Sequence, residues 1–186
     1  MLFQTGGQVD WPTTRRVHII GGPGSGKTTL AGQLAARLKT SAYNLDEVGY
    51  EGGNGPQRPP AARLAEVDRI AAGPDWVSEG VFLWWTERLL QAAEVIVWLD
   101  LPWPVAVRRI VTRHLKLSLA GTNPHPGLRR LLGFLGWSMR YYLSGPATLP
   151  VGAQEDAAVS RAVTATYLQP YAGKVIHCRR PDDFRF

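Results

Sequence analysis

Short runs of apolar, often β-branched residues alternate along the chain with longer stretches whose apolar positions recur at helical spacing. VHII (17–20), closed by glycine, reads as a buried strand, and TTLAGQLAARLK (28–39) predicts the helix that follows. YNL (43–45), WVSE (76–79), EVIVWLD (94–100) and KVIHC (174–178) predict further strands. Helices are predicted over PAARLAEVDRIAA (60–72), near 83–92, over PWPVAVRRIVTRHLK (102–116), near 128–143 and near 154–171, the first and third of these opened by proline. The glycines and prolines of EGGNGPQRPP (51–60) and of 120–127 mark loops. Gly6, Gly7 and Pro12 break any periodicity in residues 1–16, which read as a loose N-terminal extension. Strands that alternate with helices imply a doubly wound α/β fold, a parallel sheet covered on both faces. Residues 17–186 read as one domain without internal repeats.

Composition narrows the class. Apolar residues make up 45% of the 186 and charged residues 19%, with a mean hydropathy of -0.13, enough to bury a sizeable core. No apolar run reaches the roughly 18 residues of a membrane-spanning helix. The first residues, MLFQTGGQVDWPTTRR, do not read as a secretory leader. Cys178 is the only cysteine, which excludes an intrachain disulfide and a four-cysteine zinc site, and the default compartment is a reducing cytoplasm.

The charge distribution says more than its total. The chain carries 21 Lys+Arg against 15 Asp+Glu, a net +6. Residues 101–154 contain no acid and hold Arg108, Arg109, Arg113, Lys116, Arg129, Arg130 and Arg140, a local +7, so the remainder sums to -1. A concentration of arginine suits bidentate contacts to phosphate, as polyphosphate or as nucleic acid.

The strongest motif is Gly21-Gly22-Pro23-Gly24-Ser25-Gly26-Lys27-Thr28, which satisfies the phosphate-loop (Walker A) pattern G-x-x-x-x-G-K-[ST]. It follows a predicted strand and opens a predicted helix, as its mechanism requires. Glycines let backbone N–H groups approach phosphate oxygens, and the helix N-terminus favours an anion. Lys27 is placed to neutralise the β- and γ-phosphates of ATP, and the Thr28 hydroxyl to reach Mg²⁺. Asp46 and Glu79 each end a predicted strand at the carboxyl edge where such sheets bind ligands. Either can orient Mg²⁺ or take a proton from an acceptor hydroxyl. Asp100 ends a strand too, but Asp-Leu-Pro before a helix reads as capping. Trp84 and Trp85 read as core, and the helix near 128–143 as a packing helix.

With these residues in place, the chain resembles the adenylate-kinase-like nucleotide kinases. The likeness rests on G-G-P-G-S-G-K-T-T (through Thr29), Leu45-Asp46, the acid-glycine pair Glu79-Gly80, AAEVIVWLDLP (92–102) and R-x-x-x-R at 109–113, and spans about residues 17–180. Closer still, the pattern is similar to the bacterial P-loop topology-modulation proteins. The resemblance implies a P-loop NTPase of the nucleoside-monophosphate-kinase type, with five parallel strands in the order 2-3-1-4-5, ATP and Mg²⁺ as cofactors, and a short lid near 114–128. In adenylate kinases two arginines stand nine and thirteen residues after the Asp of a strand-ending D-[IVL]-P and contact the transferring phosphates; counted from Asp100 these are Arg109 and Arg113. The turn holding Arg179 and Arg180 would lie near the adenine. The chain also departs from the family. Glu79-Gly80-Val81-Phe82-Leu83 replaces D-G-[FY]-P-R, and LDEVGY lacks the arginine that holds AMP phosphate, which argues against AMP as acceptor. The expected activity is phosphoryl transfer from ATP to a small acceptor. The alternative is an ATP-dependent DNA- or protein-binding regulator with slow hydrolysis, nucleic acid ranking second as a partner.

Overall fold

The computed structural model describes residues 11, 13–145, 159–180 and 183–184. Five strands, β1 (Arg16–Gly21), β2 (Ala42–Asn44), β3 (Trp76–Gly80), β4 (Val95–Leu99) and β5 (Val175–Cys178), form one sheet in the order β2-β3-β1-β4-β5. Every pairing is parallel. Seven helices connect the described strands: α1 (Lys27–Leu38), α2 (Leu45–Gly49), α3 (Pro60–Ala71), α4 (Glu87–Ala92), α5 (Trp103–Leu119), α6 (Leu128–Leu143) and α7 (Arg161–Tyr167). This order, with a phosphate loop between the central β1 and α1, is the P-loop NTPase fold of the nucleoside-monophosphate-kinase type.

Residues alternate between the two faces of each strand, and the core divides accordingly. Val17, Ile19, Val77, Val97 and Ile176 pack with Leu30 and Leu34 of α1 on one face. Ile20, Trp76, Ile96, Trp98 and Val175 pack with Val67, Ile70, Leu89 and Val163 on the other. Trp84 and Trp85 join this second layer. Cys178 is buried, and burial pushes its thiol up to about 12, so it is no nucleophile.

Several elements differ from the sequence expectation. α2 was not expected, because five residues are too few to show a helical period. The helix near 83–92 opens as a 3-10 turn over Trp84–Thr86. α5 continues to Leu119, so residues 114–119 of the expected lid are helical and only 120–127 turn. It stops where Gly121 (φ 68) allows the N–H groups of Gly121 and Thr122 to bond the carbonyls of Ser118 and Leu117, at 3.1 and 3.0 Å. Of the helix near 154–171, residues 154–158 lie outside the described residues; α7 is followed by a 3-10 turn over Gln169–Lys174. Residues 1–10 and 12 of the N-terminal extension also lie outside, but the part nearest the sheet is not loose. Trp11 is buried against Phe184, and Arg16 already belongs to β1. α6 is not a purely packing helix either: Leu131, Ser138, Tyr141 and Tyr142 are buried, whereas Leu128, Leu132, Met139 and Leu143 form an exposed stripe.

Candidate active site

The loop from Gly21 to Gly26 turns at the carboxyl end of the central strand. Gly24 and Gly26 take φ values of 76° and 96°, which glycine adopts without strain. Gly26 caps α1 without any side-chain hydrogen bond, so the cap leaves the first-turn N–H groups of α1 for another acceptor. Inside this turn the Ser25 hydroxyl is buried without a hydrogen-bond partner among the described residues. A cationic, donor-rich turn holding an orphaned hydroxyl fits a polyphosphate.

Sequence reasoning missed what holds this loop from behind. The Tyr142 hydroxyl donates to the Pro23 carbonyl at 2.7 Å, and a Cβ on Gly22 would lie 2.4 Å from the Tyr141 ring. Glycine at position 22 thus lets α6 seat its two tyrosines on the loop. No local signal could reveal this contact, because Pro23 and Tyr142 stand 119 residues apart.

Lys27 is half-buried, with Nζ donating to the Gly22 carbonyl at 3.3 Å. Burial lowers its pKa, Glu79 and Asp46 oppose that shift, and Arg113 reinforces it. Thr28 Oγ1 donates to Glu79 Oε1 at 2.7 Å. The pair meets because Val77 and Glu79 share the face of β3 that packs on α1, which puts the carboxylate at the first turn of that helix. Donation to Glu79 leaves the lone pairs of the Thr28 oxygen available to a cation. Glu79 is 3% exposed; burial raises its carboxyl pKa, Lys27 and the Thr28 hydrogen bond oppose that shift, and Asp46 and Glu47 add to it.

Asp46 sits in the first turn of α2, which Asn44 caps by accepting the Asp46 N–H at 3.0 Å. The Asp46 side chain is exposed on the same cleft as Lys27, Thr28 and Glu79. That cleft has a volume of about 1210 Å³. Pro23, Ser25, Thr29 and Arg180 also line it, and so do Arg108, Arg109, Arg113 and Lys116 from α5. Gly21 and Gly22 lie behind the lining, Gly21 against Leu99 and Gly22 against the α6 tyrosines. Among the described residues no group of three His, Cys, Asp or Glu could hold a metal. A Mg²⁺ fits this site only as Mg²⁺ commonly binds beside a polyphosphate, with few protein oxygens, water and the phosphates themselves.

The two carried-over arginines differ. Arg109 donates to the Ser25 carbonyl at 2.6 Å and so braces the loop, while Arg113, one turn later, is exposed on the cleft. Arg129, Arg130 and Arg140 do not border the cleft, so the basic block divides between two surfaces. Trp84 and Trp85 are absent from the lining, whereas Phe134 and Trp137 of α6, with ring centroids 5.6 Å apart, belong to it. His114 meets the Asn123 side-chain amide at 3.1 Å, a turn-stabilising contact.

Asp100 is not a cap. The N-cap of α5 is Pro102, and the Asp100 carboxylate binds Arg161 at 2.5 and 2.8 Å and His177 at 2.8 Å. It ties α7 and β5 to the end of β4.

One expected result follows from Glu79. If its ionised form serves turnover, activity should fall as pH drops through its pKa, which lies above the ordinary glutamate value of 4.5. Glu79→Gln should lower turnover and displace this acid limb; a variant whose pH profile is unchanged would exclude the role.

No family model and no curated protein matches the chain. Among solved structures it is similar to a shikimate kinase from Acinetobacter baumannii solved with shikimate (16% identity, TM-score 0.42, covering 68% of this chain and 76% of that one). It is also similar to a shikimate kinase from Aquifex aeolicus (25% identity, TM-score 0.40, 50% and 68% covered). A gluconokinase from Sinorhizobium meliloti is a third (16% identity, TM-score 0.45, 70% and 74% covered).

Proposed function

We propose that the protein is an ATP–Mg²⁺-dependent phosphotransferase acting on a small acceptor. The reading is carried by one observation: the phosphate loop with Lys27, the Thr28–Glu79 pair, Asp46 and the α5 arginines all meet at a single open cleft. Bound ATP–Mg²⁺ supplies the transferable phosphoryl group and neutralises part of its charge. The loop N–H groups, with Ser25 and Thr29, hold the phosphates, and Lys27 sets a positive charge beside them. Thr28 and Asp46 orient the cation, directly or through water. Arg109 keeps the loop in shape, Arg113 offsets charge on the transferring group, and Arg180 flanks the base. Asp46 or Glu79 takes the acceptor proton. Such catalysis is positioning and electrostatics, with no covalent intermediate on the protein. A finer kinship with the topology-modulation proteins is supported by the sequence motifs alone.

The DNA- or protein-binding alternative draws on the basic block, and above all on the exposed Arg129, Arg130 and Arg140 outside the cleft. Arg113→Ala separates the two readings. As part of a phosphate clamp it should cost about 10²-fold in turnover with a smaller change in ATP affinity. A nucleic-acid surface instead predicts intact turnover, weaker DNA binding and a salt slope reduced by about one unit. Mg²⁺-dependent ADP release and DNA affinity, measured at two salt concentrations, decide between them.

A further inference from the structure

The cleft has two walls of opposite character. Its cations come from the phosphate loop (Lys27), from α5 (Arg108, Arg109, Arg113 and Lys116) and from the turn after β5 (Arg180). The wall built from α2, the loop after it and the end of β3 contributes only two charged side chains, Asp46 and Glu79, both acidic. The arginines nearest to that wall in sequence are turned away from the cleft. Arg58 donates to the Val48 carbonyl at 3.2 Å and stands 3.9 Å from Glu51. Arg63 is 4% exposed, with its guanidinium 5.4 Å from the centre of the Trp85 ring, and Arg69 pairs with Glu66 at 2.6 Å. The rest of the acidic wall consists of Tyr50, Phe82 and Val81 with the polar backbone of the 53–55 turn. The Tyr50 and Phe82 rings lie 6.1 Å apart, and Tyr50 is half-buried.

Resting on the phosphotransferase reading, we infer that the acceptor is a small hydroxylated ring compound, uncharged or bearing an amine, without a phosphate or carboxylate group. A second anion seated on this wall would face two carboxylates, while the cation beside them, Lys27, is committed to the phosphates of ATP, an unfavourable Coulomb arrangement in a partly desolvated cleft. Hydroxyl and ammonium groups are donors that carboxylates accept, and the half-buried Tyr50 ring, backed by the buried Phe82, suits the apolar face of a ring. Glu79 is buried and already accepts the Thr28 hydroxyl, so Asp46, exposed on the cleft, is the carboxylate that meets the acceptor. In the transfer, the acceptor oxygen bonds to the γ-phosphorus of ATP as the bond to the β–γ bridging oxygen breaks. That electron pair leaves with ADP, and the hydroxyl proton passes to Asp46.

The test measures ADP release by the full chain with ATP–Mg²⁺ and two pools of candidates, alongside calorimetric binding of a non-hydrolysable ATP analogue. One pool holds hexoses, cyclitols, nucleosides and amino sugars; the other holds nucleoside monophosphates, sugar acids and hydroxy acids. The first pool should stimulate release by about tenfold or more and the second by less than about twofold. Asp46→Asn should then raise KM more for amine-bearing acceptors than for neutral ones, a split that a purely structural role would not produce. Equal or greater stimulation by an anionic compound overturns the inference and leaves the phosphotransferase reading standing. Stimulation by neither pool while the analogue binds also overturns it. Failure of the analogue to bind removes both readings.

Discussion

Replacing Lys27 with alanine is expected to reduce phosphoryl transfer by about 10³-fold or more, the scale of losing a preorganised charge from a transition state. The Lys27 Nζ is held on the loop by donation to the Gly22 carbonyl. Lys27→Arg should not rescue activity, because a planar guanidinium cannot occupy the space of a compact ammonium. Folding should respond in the opposite sense. Burial lowers the Lys27 pKa, so without ligand the folded chain holds this charge at a cost. Lys27→Ala should leave the urea midpoint unchanged or raise it. Undiminished ADP release would exclude the phosphate-loop assignment, and lost activity together with collapsed stability would show that Lys27 serves the fold.

Asp100→Ala should destabilise the chain by about 2–4 kcal/mol. The carboxylate is 1% exposed and accepts two hydrogen bonds from Arg161 and one from His177. The Arg161 side chain is 44% exposed, so solvent compensates part of its loss and keeps the figure below that of a fully buried pair. Burial alone would raise the Asp100 pKa, but the hydrogen bonds from His177 and Arg161 outweigh it and hold the carboxyl below its usual range. A depressed carboxylate pKa contributes stability above the unfolded value of about 3.9 and loses it as pH falls through the folded one. The difference between wild type and variant in urea unfolding should therefore be full at pH 7 and shrink below about pH 4. An equal gap at both pH values would show that packing, not the carboxylate, is responsible. Retained ATP binding in the folded variant would mark Asp100 as a support behind the site.

Much of the architecture is legible because its determinants are local. β1, β4 and β5 announce themselves as short β-branched runs, and α1, α3 and α5 carry the spacing of a buried stripe. The phosphate loop is legible for the same reason: its glycines, lysine and threonine act through backbone conformation and position within eight consecutive residues. Short elements were not legible. α2 spans five residues, and it forms because Asn44 caps it and Leu45 is buried beneath Gly80.

Asp100 shows where local reading misleads. Asp-Leu-Pro before a helix satisfies a capping pattern, yet the carboxylate has partners 61 and 77 residues away whose positions the chain order does not encode. The same limit applies to Arg109 and Arg113. Their spacing puts them on one helix face, but only the packing of α5 against the loop gives Arg109 a carbonyl to hold and leaves Arg113 open to the cleft.

By itself, then, the sequence determined the alternation of strands and helices, the phosphate loop and the two acids at strand ends, since each depends on neighbours within a few residues. Only the tertiary structure decided that Glu79 would take the Thr28 hydroxyl, that two α6 tyrosines would back the loop, and that the cleft wall built from α2 and the end of β3 would be acidic. Those contacts join segments that meet only after the sheet has twisted its strands and the helices have packed on its faces, and burial and charge at a site are properties of that assembly.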